Sequence, residues 1–292
     1  MKKFVILTHF GKDKDLKYTK LIREWLADRG CESWLPPYCP GEGIEQTEYY
    51  DLTGVPEDVE CAIALGGDGT LLLAVRQMFS RNIPVLGINL GTLGFLTTAE
   101  VSSLPGCLEP LVDDSYKIEE RMMLKGVVYR NGEEIMKNLA LNDVVTARSG
   151  FSRLVEVKIS INDELIGVFG GDGAIVSTPT GATGYNLSAG GPIVFPQTDV
   201  IMVTPICPHT LQNRSIVVSG QEKITIEIGK RHKTFKEGTM VTFDGNAAGT
   251  LISGDRIEIC AYRKKAKLIK LGSRRFYQIL REKIGNVQGV DE

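Results

Sequence analysis

Cys61-Ala62-Ile63-Ala64-Leu65-Gly66-Gly67-Asp68-Gly69-Thr70-Leu71-Leu72-Leu73-Ala74-Val75 is the stretch on which the fold of this 292-residue chain turns. The apolar run opened by Val59 and closed by Leu65 has the length of a buried strand, and Thr70 to Phe79 carries the longer apolar pattern of a helix. Strand, glycine turn and helix in that order suit phosphate, because glycines let backbone N–H groups approach an anion beside a helix N-terminus. Asp68 sits awkwardly in such a cradle, since its carboxylate repels phosphate. Two readings of it stand. It either takes a proton from an attacking hydroxyl or positions a phosphate-bound metal, or the turn is simply tight and Asp68 caps the following helix.

Outward from this turn, the first ~115 residues alternate strand and helix, which predicts an α/β domain with a parallel sheet. Phe4 to Thr8 reads as the first strand. Leu16, Thr19, Ile22, Trp25 and Leu26 mark a helical stripe that stops at Gly30, and Cys31 to Leu35 follows as a second strand. Pro36 to Pro56 is polar and broken by proline and glycine, so it reads as a long surface loop. Pro84 to Ile88 is another buried strand. It runs into Asn89-Leu90-Gly91-Thr92-Leu93-Gly94-Phe95-Leu96, a second glycine-bearing segment at a strand's C-terminal end, the edge where open α/β sheets bind ligands.

From Lys117 the texture changes to period-two alternation. Val155, Val157, Ile159 and Ile161 alternate with polar residues, Asn131-Gly132 and Asn162-Asp163 read as hairpin turns, and 216–218, 224–228, 240–243 and 257–262 continue the pattern. This half is expected to be an all-β antiparallel domain. Lys267 to Leu271 reads as a last strand, and Phe276, Ile279, Leu280 and Ile284 give 274–284 the spacing of a helix expected to pack back on the first domain. The expected division is therefore 1–116, 117–272 and a returning helix in 273–292.

Composition narrows the partners. The chain is 42% hydrophobic with a formal net charge of -2, so no global basic field points to nucleic acid or an anionic membrane. The first residues carry an apolar run too short for a signal peptide, and no stretch approaches the ~20 apolar residues of a membrane span. The cysteines, Cys31, Cys39, Cys61, Cys107, Cys207 and Cys260, are scattered without a C-x-x-C pair, which points to free thiols in a reducing cytoplasm.

The β half contains a second dense segment, Asp172-Gly173-Ala174-Ile175-Val176-Ser177-Thr178-Pro179-Thr180-Gly181-Ala182-Thr183-Gly184-Tyr185-Asn186-Leu187-Ser188-Ala189-Gly190-Gly191-Pro192. So many small, hydroxylated and glycine residues after a strand suggest close ligand approach, with Thr180, Thr183 and Ser188 offering hydroxyls and Tyr185 an aromatic ring. A glycine-rich corner of a β domain is the plainer alternative.

With these segments in view, the sequence resembles the NAD kinase family. Gly66 to Thr70 is similar to its acidic glycine loop, Leu141-Asn142-Asp143 to its Asn-Glu/Asp motif, and Thr178 to Pro192 to its glycine-rich motif. Gly87 to Leu96 and Thr204 to Val217 are also similar to family segments, so the resemblance spans roughly residues 59 to 284. It implies that Asp68 is a general base removing the proton from the 2′-hydroxyl of the adenosine ribose of NAD, which attacks the γ-phosphorus of ATP. It further implies that Gly67 and Gly69 let the backbone approach the diphosphate. Asn142 and Asp143, which alone read as a β-turn, would divide hydrogen bonds between adenine and ribose. Thr183, Gly184, Tyr185, Asn186 and Ser188 fall where the family grips adenosine, and Asp172 matches a carboxylate near the nicotinamide amide. Asp244 and Asn246 match a further loop at the site, with a neighbouring subunit as one source of that loop.

The same resemblance implies magnesium carried on the nucleotide's phosphates with few protein ligands, a cytoplasmic homodimer or homotetramer, and a site in the cleft between domains. Two departures matter. Several relatives carry a basic residue three places after the loop threonine, where this chain has Leu73 with Arg76 as the nearest cation, which leaves Arg153 to neutralise phosphate. Gly170 stands where some relatives have a polar or basic side chain. His9, His209 and His232 read as packed or surface residues, and Arg263-Lys264-Lys265-Ala266-Lys267 as a solvated hairpin tip. The rival functions are a lipid or sugar-phosphate kinase sharing the Gly-Gly-Asp-Gly turn, and a dinucleotide sensor without turnover.

Overall fold

The computed structural model describes residues 1–41, 48–91, 94–149, 154–209, 214–229, 238–272 and 276–284. Two compact units emerge. Residues 1–39 and 48–120, with the chain from Lys267 onward, form the first, and the second is built mainly of Arg121–Ala266. The chain thus divides after Glu120 and again after Ala266, against expected boundaries after 116 and 272.

In the first unit the apolar runs read from the sequence lie side by side. Strands Glu32–Trp34, Lys3–Thr8, Cys61–Gly66 and Val85–Asn89 pair in parallel, in that order across the sheet. Cys61–Gly66 is buried throughout, as a strand covered on both faces must be. Helix Lys17–Ala27 buries Thr19, Ile22 and Leu26, and helix Asp68–Met78 buries Leu71, Ala74, Val75 and Met78 at three- and four-residue intervals. Phe4, Ile6, Ile22, Leu26, Ile63, Leu65, Leu86 and Ile88 build the core. The segment read as one long loop contains a small antiparallel pair, Tyr38–Cys39 with Tyr49–Tyr50.

Two strands depart from the sequence reading. Ala266–Lys270, assigned to the β domain, instead adds in parallel beside Val85–Asn89, and Lys117–Arg121 completes that edge of the sheet. Alternating apolar residues fix one face of a strand but not the identity of its neighbour. The Arg263-Lys264-Lys265 run is accordingly not a hairpin tip, because the strands on its two sides belong to different sheets. Helix Phe276–Ile284 groups with the first unit.

The second unit holds two six-stranded antiparallel sheets. One runs Glu133–Ala140, Leu124–Arg130, Arg256–Ala261, Ile224–Ile228, Val155–Ile161, Glu164–Gly171; the other runs Ile216–Ser219, Val200–Ile206, Gly173–Ser177, Asp143–Arg148, Thr239–Phe243, Asn246–Leu251. Inward side chains of both, including Val128, Val144, Val157, Val176, Ile226, Val241 and Ile257, form a single apolar core. The two expected hairpin turns are present, with Asn131, Gly132, Asn162 and Asp163 all at positive φ, as two-residue turns between twisted strands require.

Candidate functional site

Strand Cys61–Gly66 delivers the glycine turn to the C-terminal edge of the parallel sheet, and Gly67, in extended conformation, opens helix Asp68–Met78. No side chain caps this helix. The Asp68 carboxylate reaches across to the second glycine segment, where Oδ2 accepts the Phe95 N–H at 2.9 Å and Oδ1 accepts those of Leu96 and Thr97 at 3.3 and 3.2 Å. The capping alternative is thereby set aside. Gly94 makes the approach possible: a Cβ there would lie 2.0 Å from Asp68 Oδ1. Two ionised oxygens offer about four acceptor directions. Three are filled from the backbone, which leaves one on Oδ2 for an outside donor.

Beside Asp68 opens a cavity of about 280 Å³ whose walls include His9, Phe10, Lys12, Tyr38, Tyr50 and Gly67. The turn that carries Lys12 is fixed by Asp13, which is 1% exposed. Its carboxylate accepts the Thr8 and Thr19 hydroxyls at 3.2 and 2.6 Å and the Tyr18 and Thr19 N–H groups at 2.9 and 3.1 Å. Arg76, the cation singled out in the sequence, donates at 3.2 Å to the carbonyl of Glu48, itself a residue of the cavity wall. Leu73 is buried in the cavity wall, where an ammonium would be desolvated. Arg153 lies outside the described residues.

In the second unit, Leu141 and Asn142 form the corner at which the chain leaves one sheet for the other, not a hairpin turn. Asp244, at φ 51° in the turn between Thr239–Phe243 and Asn246–Leu251, holds that corner. Its carboxylate accepts the N–H groups of Leu141, Asn142 and Asp143 at 2.8, 2.6 and 3.2 Å. Asp244 thus supports the Asn142–Asp143 corner of its own chain. Asn246 donates to the Asp244 carbonyl at 3.3 Å.

The glycine-rich motif packs on the same corner. Thr178 N–H donates to the Asn142 carbonyl at 2.8 Å, and Gly181 fits because a Cβ there would lie 2.3 Å from that carbonyl oxygen. Burial first, and the Asp244 charge second, push the Asp143 carboxyl up to about 7. Asn142 Oδ1 is buried and accepts no hydrogen bond from any described residue. A buried acceptor left open is costly, so the corner is suited to a ligand N–H or O–H.

The remaining sequence candidates divide into two groups. Gly184 lies against this corner, within 4 Å of both the Asn142 amide and the Asp143 carboxylate by the measure of an added Cβ. Thr183 is half-buried with its hydroxyl donating to the Thr180 carbonyl at 3.5 Å, and Tyr185 and Ser188 are exposed. Burial, followed by the charges of Cys207, Asp172 and Asp143, raises the Tyr185 hydroxyl pKa. Asn186 differs from expectation: it is fully buried, donating to the Pro192 carbonyl at 3.1 Å and accepting from Thr204 at 2.7 Å. It shapes the loop and offers nothing outward. Asp172 pairs with Arg148 at 2.8 Å. Lys12 and Arg148 escaped the sequence reading, while Gly94 and Thr178 entered it only as members of their segments; of the two missed, Lys12 carried a signal, as a cation just past the end of a parallel strand.

All six cysteines are free. Among the described residues no helix is long and apolar enough to cross a membrane, and no group of three His, Cys, Asp or Glu side chains is placed to hold a metal.

Residues 4–116 match the ATP-NAD kinase N-terminal domain and residues 141–271 the ATP-NAD kinase C-terminal domain. A NAD kinase of Lachnoclostridium phytofermentans is 44% identical over 98% of this chain and 100% of its own, and one of Caldanaerobacter subterraneus is 40% identical over 97% and 99%. Yeast NADH kinase, solved with NADH, superimposes with a TM-score of 0.83 at 22% identity over 100% of this chain and 89% of its own. An Archaeoglobus fulgidus NAD kinase, solved with ATP, gives 0.73 at 24% identity over 98% and 100%. Sequence identity at this level across essentially the whole length, joined to the shared fold and the acidic glycine turn, shows that the chain belongs to the ATP-NAD kinase family.

Proposed function

We propose that this chain transfers the γ-phosphoryl group of ATP to the 2′-hydroxyl of the adenosine ribose of NAD, giving NADP and ADP. The observation that carries this reading is the Asp68 carboxylate, fixed by three backbone N–H groups beside a glycine turn with one acceptor direction open. As the ribose oxygen bonds to the γ-phosphorus, its proton passes to Asp68 Oδ2, and the bond to the β–γ bridging oxygen breaks with its electrons leaving on ADP. A carboxylate oriented on a secondary alcohol contributes about 100-fold or more. Phosphoryl transfer otherwise depends on placement and charge neutralisation.

In the second unit, Asn142 Oδ1 accepts from adenosine, Asp143 meets a ribose hydroxyl, and Thr183, Gly184, Tyr185 and Ser188 enclose the nucleoside. Asp172, oriented by Arg148, meets the nicotinamide amide. Asp244, Asn246 and Asn186 act through the backbone they hold. In this reading a magnesium ion arrives on the triphosphate rather than in a protein cage. That ion supplies charge neutralisation on the phosphates. We assign the enzyme to the cytoplasm, as six free thiols favour, and to a homodimer or homotetramer.

The test is NADP formation by purified protein from NAD, ATP and magnesium. Asp68→Asn should lower kcat by at least ~100-fold while leaving NAD affinity within a few-fold. Phosphorylation of diacylglycerol or fructose 6-phosphate instead of NAD, or NAD binding without turnover, would defeat this reading.

A further inference from the structure

We propose that Thr204 is a positioning residue for nucleoside binding: its single hydroxyl proton fixes the Asn186 amide, and that amide sets the direction in which Tyr185 and Ser188 face outward. The inference rests on the reading above that Tyr185 and Ser188 enclose the nucleoside, and it names what holds them. Tyr185–Ser188 is a single helical turn of four residues. A turn that short has no stability of its own, so its orientation comes from what it packs against. Asn186 is its one buried residue, at 0% exposed, while Tyr185 and Ser188 lie at the surface. The turn therefore hangs on a polar side chain, where burial ordinarily selects an apolar one.

The contacts of that side chain are directional. Asn186 Nδ2 donates to the Pro192 carbonyl at 3.1 Å and lies 3.8 Å from the Met202 sulfur, which ties the turn to the end of the glycine-rich motif. Its Oδ1 accepts the Thr204 hydroxyl at 2.7 Å. Thr204 is itself buried, on strand Val200–Ile206 opposite Ile175. A hydroxyl has one proton. With that proton on Asn186, the 3.0 Å contact between Thr204 and Ser215 is donated by the Ser215 hydroxyl. Ser215, Thr204, Asn186 and Pro192 thus form a row ordered from donor to acceptor. An amide flipped about its axis would bring Oδ1 against the Pro192 carbonyl, acceptor against acceptor, so one orientation stands. Gly191 leaves the amide room, since a Cβ there would lie 2.1 Å from Asn186 Oδ1, and the Gly191 N–H donates to the Asn186 carbonyl at 2.8 Å. Removing the Thr204 hydroxyl leaves Oδ1 as a buried acceptor without this donor, which favours any displacement of the turn that finds another.

The test compares initial rates against NAD and against ATP, and NAD affinity by calorimetry, for the wild type, Thr204→Val, Thr204→Ser, Asn186→Ala and the double variant Thr204→Val with Asn186→Ala. Valine keeps the shape of threonine and drops the hydroxyl. Thr204→Val should raise the KM and Kd for NAD about 10-fold or more and leave the KM for ATP within about 2-fold, and Thr204→Ser should stay within about 3-fold of the wild type. Asn186→Ala should show the same split, and in its background Thr204→Val should change the KM for NAD by less than about 2-fold, because the hydroxyl then has no amide to hold. Val203→Ala, a core change on the opposite face of the same strand, should lower the melting temperature and leave the KM for NAD within about 2-fold. A wild-type KM for NAD in Thr204→Val, additive effects of the two substitutions, or an equal rise in Val203→Ala would overturn the proposal. Should Thr204→Val not fold, Asn186→Ala decides by the same split between NAD and ATP. A wild type that binds NAD and forms no NADP would defeat the kinase reading instead, and the calorimetric comparison would still stand.

Discussion

Gly94 lies so close to Asp68 that a methyl group on it would occupy the carboxylate's position, 2.0 Å from Oδ1. The proposed base is therefore placed by a residue with no side chain. Gly94→Ala should push the carboxylate off the Phe95, Leu96 and Thr97 N–H groups and lower kcat by about 100-fold, since misplacement by ~1 Å costs that much. The KM for NAD should move little. An Ala variant with wild-type kcat would show that this placement is unnecessary.

Asp244 organises the Asn142–Asp143 corner through three backbone N–H groups. Asp244→Ala leaves those donors unsatisfied and should cost about 2 to 4 kcal/mol of stability, because hydrogen bonds to a charged acceptor are worth about 1.5 to 3 kcal/mol each and do not all reform with water. NAD affinity, measured by calorimetry, should fall about 10-fold or more through the loosened corner. Unchanged affinity would place adenosine elsewhere.

Asp143 makes stability depend on pH in a direction opposite to most carboxylates. Its carboxyl is pushed up to about 7 in the folded chain, whereas an unfolded aspartate titrates near 4. Between those values the folded chain holds more protons, so stability falls as pH rises from about 4 to 7 and stays low above it. Asp143→Asn removes that loss. Its melting temperature should exceed the wild type's at pH 8 by more than at pH 5, and an equal difference at both would contradict the assignment.

Arg130 grips Asp255 through two bonds, Nε to Oδ1 at 2.9 Å and Nη2 to Oδ2 at 2.7 Å, and Asp255 is 1% exposed. Arg130→Ala leaves this buried carboxylate with the Ile252 N–H at 2.8 Å but no counter-charge, and should destabilise the chain by about 3 kcal/mol. The KM for NAD, measured at a temperature where the variant is folded, should be unaltered. A rise in that KM would tie this pair to the site.

The fold was readable wherever apolar period and turn chemistry coincide, as in Cys61–Leu65 with its glycines or Asn131-Gly132 between strands. Asp68 and the Asn142–Asp143 corner were legible because rare residue types sit at fixed offsets there. Asp244 was found only as a position, since its work is done on N–H groups about a hundred residues away, and no local pattern encodes such a contact. Asn186 misled for the same reason: an amide in a glycine-rich loop looks the same whether it faces a ligand or, as here, Thr204 and the Pro192 carbonyl. Lys12 carried only its place just past the end of a parallel strand, and the buried Asp13 that fixes its turn is a contact no local pattern encodes.

The parallel sheet draws on Lys3–Thr8 near one end of the chain and on Ala266–Lys270 near the other. A ribosome that has released only the first hundred or so residues has therefore produced a sheet whose border at Val85–Asn89 is paired by Ala99–Glu100 at Ile88 and Asn89 alone, and its Val85 end stays open through the synthesis of the whole β half. Bare strand edges recruit other chains. Expression of residues 1–116 alone should give aggregates rather than a soluble fragment, and a stop codon before Ala266 should harm the N-terminal unit although every residue ahead of it is intact.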